Sequence, residues 1–223
     1  MFHKYPSSKK DDAYEIGQSL LFDNSGNDSS GIWMNKVQGG WTTPTSQKIW
    51  TISFWMKLGT KQNGSSAESW IYWVNGNKAS SSMGYDYIQL VDEHLQYSCY
   101  VDDWSTMRAR TRTSRVLHDP SAWYHCVVSM DSTNPVANDR LKIYLNGVRE
   151  TDFVQDSHIG QNQDTNSSMN ADTYVGASHS RTSTQSFSGY LAEFRRIDGQ
   201  AFGPENFALT DSNGVYNPIP YEG

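Results

Sequence analysis

Two cysteines in 223 residues are too few for a disulfide-stapled fold. A chain of this length needs none, because a domain of this size can be held by its hydrophobic core. Cys99 and Cys126 are expected to be buried thiols on neighbouring strands, with a disulfide between them as the alternative; their spacing matches no zinc pattern. No apolar run approaches the ~20 residues a membrane-spanning helix requires, so no membrane insertion is expected. The opening MFHKYPSSKKDD lacks the apolar centre of a secretory signal; the expectation is a chain made in the cytoplasm that stays there or leaves by a route other than secretion. Heptads, internal repeats and long helical periodicity are missing too, which excludes coiled coils and parallel α/β folds, where helices alternate with strands. Positive charge is scarce: 18 Lys and Arg against 24 Asp and Glu leave a net charge of -6, which argues against nucleic acid as the main partner.

What the chain has is rings. It carries 8 Trp, 13 Tyr and 8 Phe, 13% of its residues, within a hydrophobic fraction of only 36% and a mean hydropathy of -0.68. Such a core must be largely aromatic inside a polar shell, and a sandwich of two sheets, each with one face buried and one solvated, fits. Period-two alternation runs through the sequence. In 48–59, Ile52, Phe54 and Met56 share one face and Thr51, Ser53 and Lys57 the other. The segments 69–76 and 85–91 read as strands with aromatics on both faces; 94–101, 105–114, 122–131 and 140–147 alternate, with Leu95, Tyr97, Cys99 and Val101 on one face of their strand and Tyr124, Cys126, Val128 and Met130 on one face of theirs. Asn146-Gly147 signals a type I′ hairpin, since both residues tolerate positive φ, and the chain should fold straight back through 148–154. The stretch 155–172 reads as an exposed loop, 173–177 and 186–198 as the last strands, Pro204 as the start of a short helical turn, and the final residues as an extended cover over the surface. The organisation is an N-terminal arm, 1–17, and one domain, 18–223.

Two segments carry a family resemblance. SAWYHCVVSMD followed by RLKIYLNGVRE, 121–150, with Trp123, Tyr144, Asn146 and Gly147, resembles the centre of LamG-like, concanavalin A-like jelly-roll domains. WTISFWMK (50–57) looks like that family's central aromatic strand and FSGYLAEFRRID (187–198) like its closing strand. DGQAFGPENFALTDSNGVYNPIPYEG (198–223) is similar to the tail of LamG-type domains in structural proteins of tailed phages, especially marine ones. The resemblance implies an all-β, antiparallel jelly-roll β-sandwich.

Candidate sites follow from residue chemistry. Retaining glycosidases need two carboxyl groups facing one sugar bond. The nearest pattern, Glu150-Thr151-Asp152-Phe153-Val154-Gln155, ends in a Gln that can neither donate a proton nor attack, so no catalytic residue is assigned, and Glu150 and Asp152 read as a solvated hairpin face. No G-x-S-x-G nucleophile turn is present, and His125, among apolar residues in mid-strand, reads as structural. A sugar site combines an aromatic plate with polar groups; its candidates are Trp70, Tyr72, Trp73, Tyr85, Tyr87 and Trp104. Arg108, Arg110 and Arg112 alternate along one strand, with Arg115 nearby. As a positive stripe in an acidic protein they could dock an acidic protein surface or polysaccharide. Some LamG relatives bind calcium through acidic loops; Asp102, Asp103, Asp131, Asn138 and Asp139 are the residues to inspect, and the metal is left unassigned because Asp and Asn also form turns. No other cofactor is expected.

The resemblance implies a virion protein that decorates a capsid and meets other capsid or tail proteins, with host cell-surface polysaccharide as a further partner. A tail or head fibre receptor-binding module, which a homotrimer would suit, and a cellular lectin-like carbohydrate-binding module are the alternatives.

Overall fold

Alternation in the sequence becomes two antiparallel sheets in the computed structural model, which describes residues 17–23, 32–36, 45–59, 68–75, 84–101, 106–167, 171–180 and 185–223. With strands numbered along the chain, one sheet runs, in spatial order, β1 (Leu20–Phe22), β13 (Gly189–Asp198), β3 (Ile49–Leu58), β8 (Trp123–Asp131), β9 (Leu141–Leu145) and β10 (Val148–Arg149). The other runs β11 (Phe153–Ser157), β7 (Thr106–Val116), β6 (His94–Val101), β5 (Tyr85–Val91), β4 (Glu68–Asn75), β12 (Thr173–Val175) and β2 (Met34–Lys36). A small hairpin, β14 (Ala208–Thr210) with β15 (Tyr216–Pro218), forms a separate two-stranded sheet. No α-helix occurs among the described residues. The arm, 1–17, lies outside them apart from Gly17.

The inward faces are those the alternation marked. Ile52, Phe54 and Met56 meet Cys126, Val128, Ile143 and Leu145 from their own sheet and Ile88, Leu95, Tyr97 and Cys99 from the facing one, all fully buried. Asn146 and Gly147, with φ of 50° and 80°, form the expected turn. Asp92 and Glu93, at 51° and 69°, make the corresponding turn between β5 and β6.

Five expectations are corrected. Cys99 and Cys126 are buried and unpaired, but they stand on strands of facing sheets, not on neighbouring strands. The return of the hairpin lasts only through Val148 and Arg149; the chain then leaves that sheet and joins the other as β11, pairing with β7. That strand occupies the start of the stretch read as a loop, and at the crossover Glu150 turns inward to 7% exposure and meets Arg115, 3.1 Å away. Glu150 is therefore no solvated hairpin face, although Asp152 is exposed. Finally, the outer faces are not simply solvated. Both carry further aromatic clusters, and these absorb the rings that one core could not use.

On the outer face of the six-stranded sheet the cover is the C-terminal segment. Thr51 Oγ1 donates to the Gln200 carbonyl at 2.7 Å and accepts from Phe202 N at 2.8 Å. After the short 3-10 turn Pro204–Asn206, Phe207 is fully buried and its carbonyl accepts from Ile219 N at 2.9 Å. The segment joins neither main sheet, and its rings Phe202, Phe207 and Tyr221 pack on one another.

Candidate functional site

Cross-strand partners in a sheet point to the same side, so strand register builds the outer face of the seven-stranded sheet row by row. One row passes through Tyr174, Trp73, Tyr87, Ser98, Arg110 and Ser157. The next passes through Trp70, Gln89, Gln96, Arg112 and Gln155. A third holds Tyr85, Tyr100 and Met107. The face grades from indole and phenol through amide and hydroxyl to guanidinium, and these three rows contain no carboxylate.

The rings are tightly set. Trp73 and Tyr87 stack with centroids 5.4 Å apart, Trp70 lies 4.7 Å from Tyr87, and Tyr85 5.0 Å from Trp73. His179, itself exposed, stacks on Trp73 at 5.0 Å. Trp70 is only 4% exposed, Tyr87 and Gln89 3% and Gln96 1%. Trp70, Trp73, Tyr85 and Tyr87 are thus brought together as expected but form an enclosed wall, not an exposed plate. Arg110, Arg112, Gln155 and Ser157 are half-buried and make the accessible lip. Burial pushes the Tyr87 hydroxyl up to about 12.

Polar groups on this face are incompletely satisfied. Arg112 Nε donates to Gln96 Oε1 at 2.8 Å, and Gln96 Nε2 to Ser98 Oγ at 3.2 Å. Arg110 donates to the Tyr100 hydroxyl, with its guanidinium 5.5 Å from that ring centroid. Trp70 Nε1, Gln89 Oε1 and Arg110 Nε are buried with no hydrogen-bond partner among the described residues. Leaving such an atom unpaired costs about 1–3 kcal/mol, and three on one face, on β4, β5 and β7, mark a place where polar atoms from outside the chain would be stabilised.

Other candidates lie elsewhere. Tyr72 belongs to the inter-sheet core, its hydroxyl donating to the Ser167 carbonyl at 3.3 Å. A bulge between Trp70 and Tyr72 sets Tyr72 facing inward while Trp70 and Trp73 stay outside. Trp104, Asp102 and Asp103 lie outside the described residues. The arginine stripe is broken: a register shift of β7 against β6 past Cys99 takes Arg108 off the row, and it donates to the Asp164 carbonyl at 2.6 Å. Arg115 is held by Glu150. Desolvation raises the Glu150 carboxyl, partly countered by Arg115. Asp131 caps its own turn through Thr133 N at 3.0 Å, and Asp139 takes Arg149 at 2.6 Å. No group of three or more His, Cys, Asp and Glu suited to a metal occurs among the described residues. Gln89, Gln96, Ser98, Tyr100 and Tyr174 were missed as site members. The available signal was that Gln89 shares the parity of Tyr85 and Tyr87, and Gln96 and Ser98 that of Tyr100.

The opposite outer face holds a serine–histidine contact. Ser53 Oγ is 3.0 Å from His125 Nε2, but Nδ1 faces the Tyr216 hydroxyl at 2.9 Å, not a carboxylate. Burial, with Arg195 adding to it, lowers His125 to about 4. So weak a base, sealed beneath the C-terminal hairpin, cannot activate a serine; this contact is structural.

The two facing sheets have counterparts in known proteins. The mouse laminin alpha1 chain, domains LG4-5, superposes with a TM-score of 0.53 at 13% identity, over 89% of this chain and 48% of that one. The binding domain of botulinum neurotoxin serotype G gives 0.51 at 16% identity, over 80% of this chain and 40% of that one. This chain thus spans less than half of either, and at such identities the likeness is one of fold. No curated protein matches the sequence. Residues 20–204 match the model of a laminin G family described as the concanavalin A-like lectin/glucanases superfamily, and the chain belongs to that superfamily.

Proposed function

We propose that this chain is a non-catalytic glycan-binding module whose site is the outer face of the seven-stranded sheet, and that it serves as a surface structural protein of a phage particle. The observation that carries the glycan reading is the set of unpartnered buried atoms, Trp70 Nε1, Gln89 Oε1 and Arg110 Nε, beside stacked indole and phenol rings. A saccharide ring offers an apolar C–H face to an aromatic wall and hydroxyls that both donate and accept, the complement of two donors and one acceptor. Binding in place of hydrolysis is favoured because the described residues of this face include no pair of facing carboxyl groups. The virion reading rests on the likeness of residues 198–223 to tails of phage LamG-type domains.

Titration calorimetry against a panel of oligosaccharides tests the first half. Saturable binding that Gln89→Leu weakens at least tenfold, in a protein that still melts cooperatively, is expected; no binding to any saccharide refutes it. Quantitative mass spectrometry of purified particles tests the second half. A copy number near that of the shell subunit is expected. A small multiple of three indicates a fibre or tail component, and absence leaves a lectin-like module unconnected with virions.

A further inference from the structure

Arg110 and Arg112 stand two residues apart on β7, roughly 7 Å along one face. In a chain of net charge -6 they would ordinarily find carboxylates. Among the described residues they do not: the arginine ion pairs are Arg115–Glu150, Arg149–Asp139 and Arg195–Glu193. Among the described residues the partners of Arg110 and Arg112 are neutral, the Tyr100 and Tyr87 hydroxyls and Gln96 Oε1. Both side chains are half-buried, where a cation without a counter-ion is destabilising, and Arg110 Nε has no acceptor among the described residues.

We propose that the ligand supplies the missing anion, and that this face recognises a carboxylated saccharide, a hexuronate or other sugar acid. This rests on the glycan reading above and narrows it. The guanidinium fork matches the plane and oxygen spacing of a carboxylate and grips it with two parallel hydrogen bonds. The carboxylate sits at Arg110 and Arg112 on the lip, while the sugar ring runs back toward Trp70 and Gln89. Ordering along the sheet, arginine then amide then indole, places charge recognition at the accessible side and ring recognition behind it.

The test titrates the full chain with oligogalacturonate, with the same oligosaccharide after reduction of its carboxyl groups, and with a sulfated galactan, at low and high salt. Arg112→Gln, Arg110→Gln and the control Arg149→Gln are compared, with thermal melting as a check on folding. The expected result is at least tenfold tighter binding of the acid than of its reduced form. That advantage should shrink in high salt and vanish in Arg112→Gln, while Arg149→Gln behaves as wild type. If a variant fails to fold, the paired ligands on the wild-type chain decide the matter alone. Equal binding of acid and reduced sugar overturns the carboxylate assignment and leaves the glycan reading standing, as does binding of the sulfated chain alone. No binding to any of the three, nor to the wider panel, overturns both.

Discussion

His125 Nδ1 lies 2.9 Å from the hydroxyl of Tyr216, a residue 91 positions further along the chain. On its other side the ring meets Ser53 Oγ at 3.0 Å. A neutral imidazole has one N–H and one lone pair, and two rotatable hydroxyls satisfy both. The ring also stacks on Trp55 with centroids 4.8 Å apart. A buried, neutral histidine therefore pins the C-terminal hairpin to the six-stranded sheet.

That pin makes stability depend on pH. His125 is lowered to about 4 in the folded chain, burial being the main cause, whereas an unfolded histidine titrates near ~6.5. Between these values the unfolded state binds more protons, so stability rises with pH across that window. The contribution, about 3 kcal/mol, is fully present above pH ~6.5, is lost as pH falls toward 4, and changes no further below that. Urea melts from pH 4 to 7 on the wild-type chain and on His125→Gln should show a steeper rise for the wild type; parallel curves would contradict it.

Asp86 is the polar anchor of the main core. Fully buried, it accepts from the Tyr97 hydroxyl at 3.0 Å, from Asn166 N and Nδ2 at 2.9 and 3.0 Å, and from Ser167 N at 2.7 Å. Asp86→Asn turns one acceptor oxygen into a donor facing donors. A loss of about 3 kcal/mol is expected, with amide exchange at Asn166 and Ser167 accelerating first.

Gly176 adopts φ of 86°, and a Cβ there would collide with the Phe22 ring. Backbone strain and overpacking act together in Gly176→Ala, which should cost 2 kcal/mol or more, to an order of magnitude of about 2–4. Thermal denaturation measures it, and an unchanged midpoint would show that Phe22 is free to move.

Cys99 and Cys126 should be inert in the native state. Desolvation, the main cause for each, raises both thiols well above their ordinary range, and the thiolate is the reactive form. A thiol reagent should titrate neither in buffer and both in denaturant, with no disulfide on a non-reducing gel.

Most of the sandwich was legible because alternation is a local property. The inward sets Ile52, Phe54, Met56 and Leu141, Ile143, Leu145 needed no knowledge of their neighbours, and Asn146-Gly147 announced its own turn. The candidate site was half legible. The rings of β4 and β5 could be picked out, but Tyr72 was placed among them because the bulge after Trp70 cannot be counted from alternation. Arg108 was grouped with Arg110 and Arg112 for the same reason, one irregular residue in β7 being enough to turn a side chain away.

What the sequence by itself determined is the all-β class, the inner face of each main strand and the family to which the chain is similar, because side-chain alternation and turn chemistry act over two to four residues. Tertiary structure alone decided which strands are neighbours. It set Gln96 beside Arg112, gave the two arginines of the outer face no carboxylate among the described residues, moved Glu150 from a hairpin face to a buried position against the exposed Arg115, and laid Tyr216 against His125. Each of these depends on register, bulges and sheet order, which are settled by contacts between residues far apart in the chain and leave no mark on the spacing of residues within one strand.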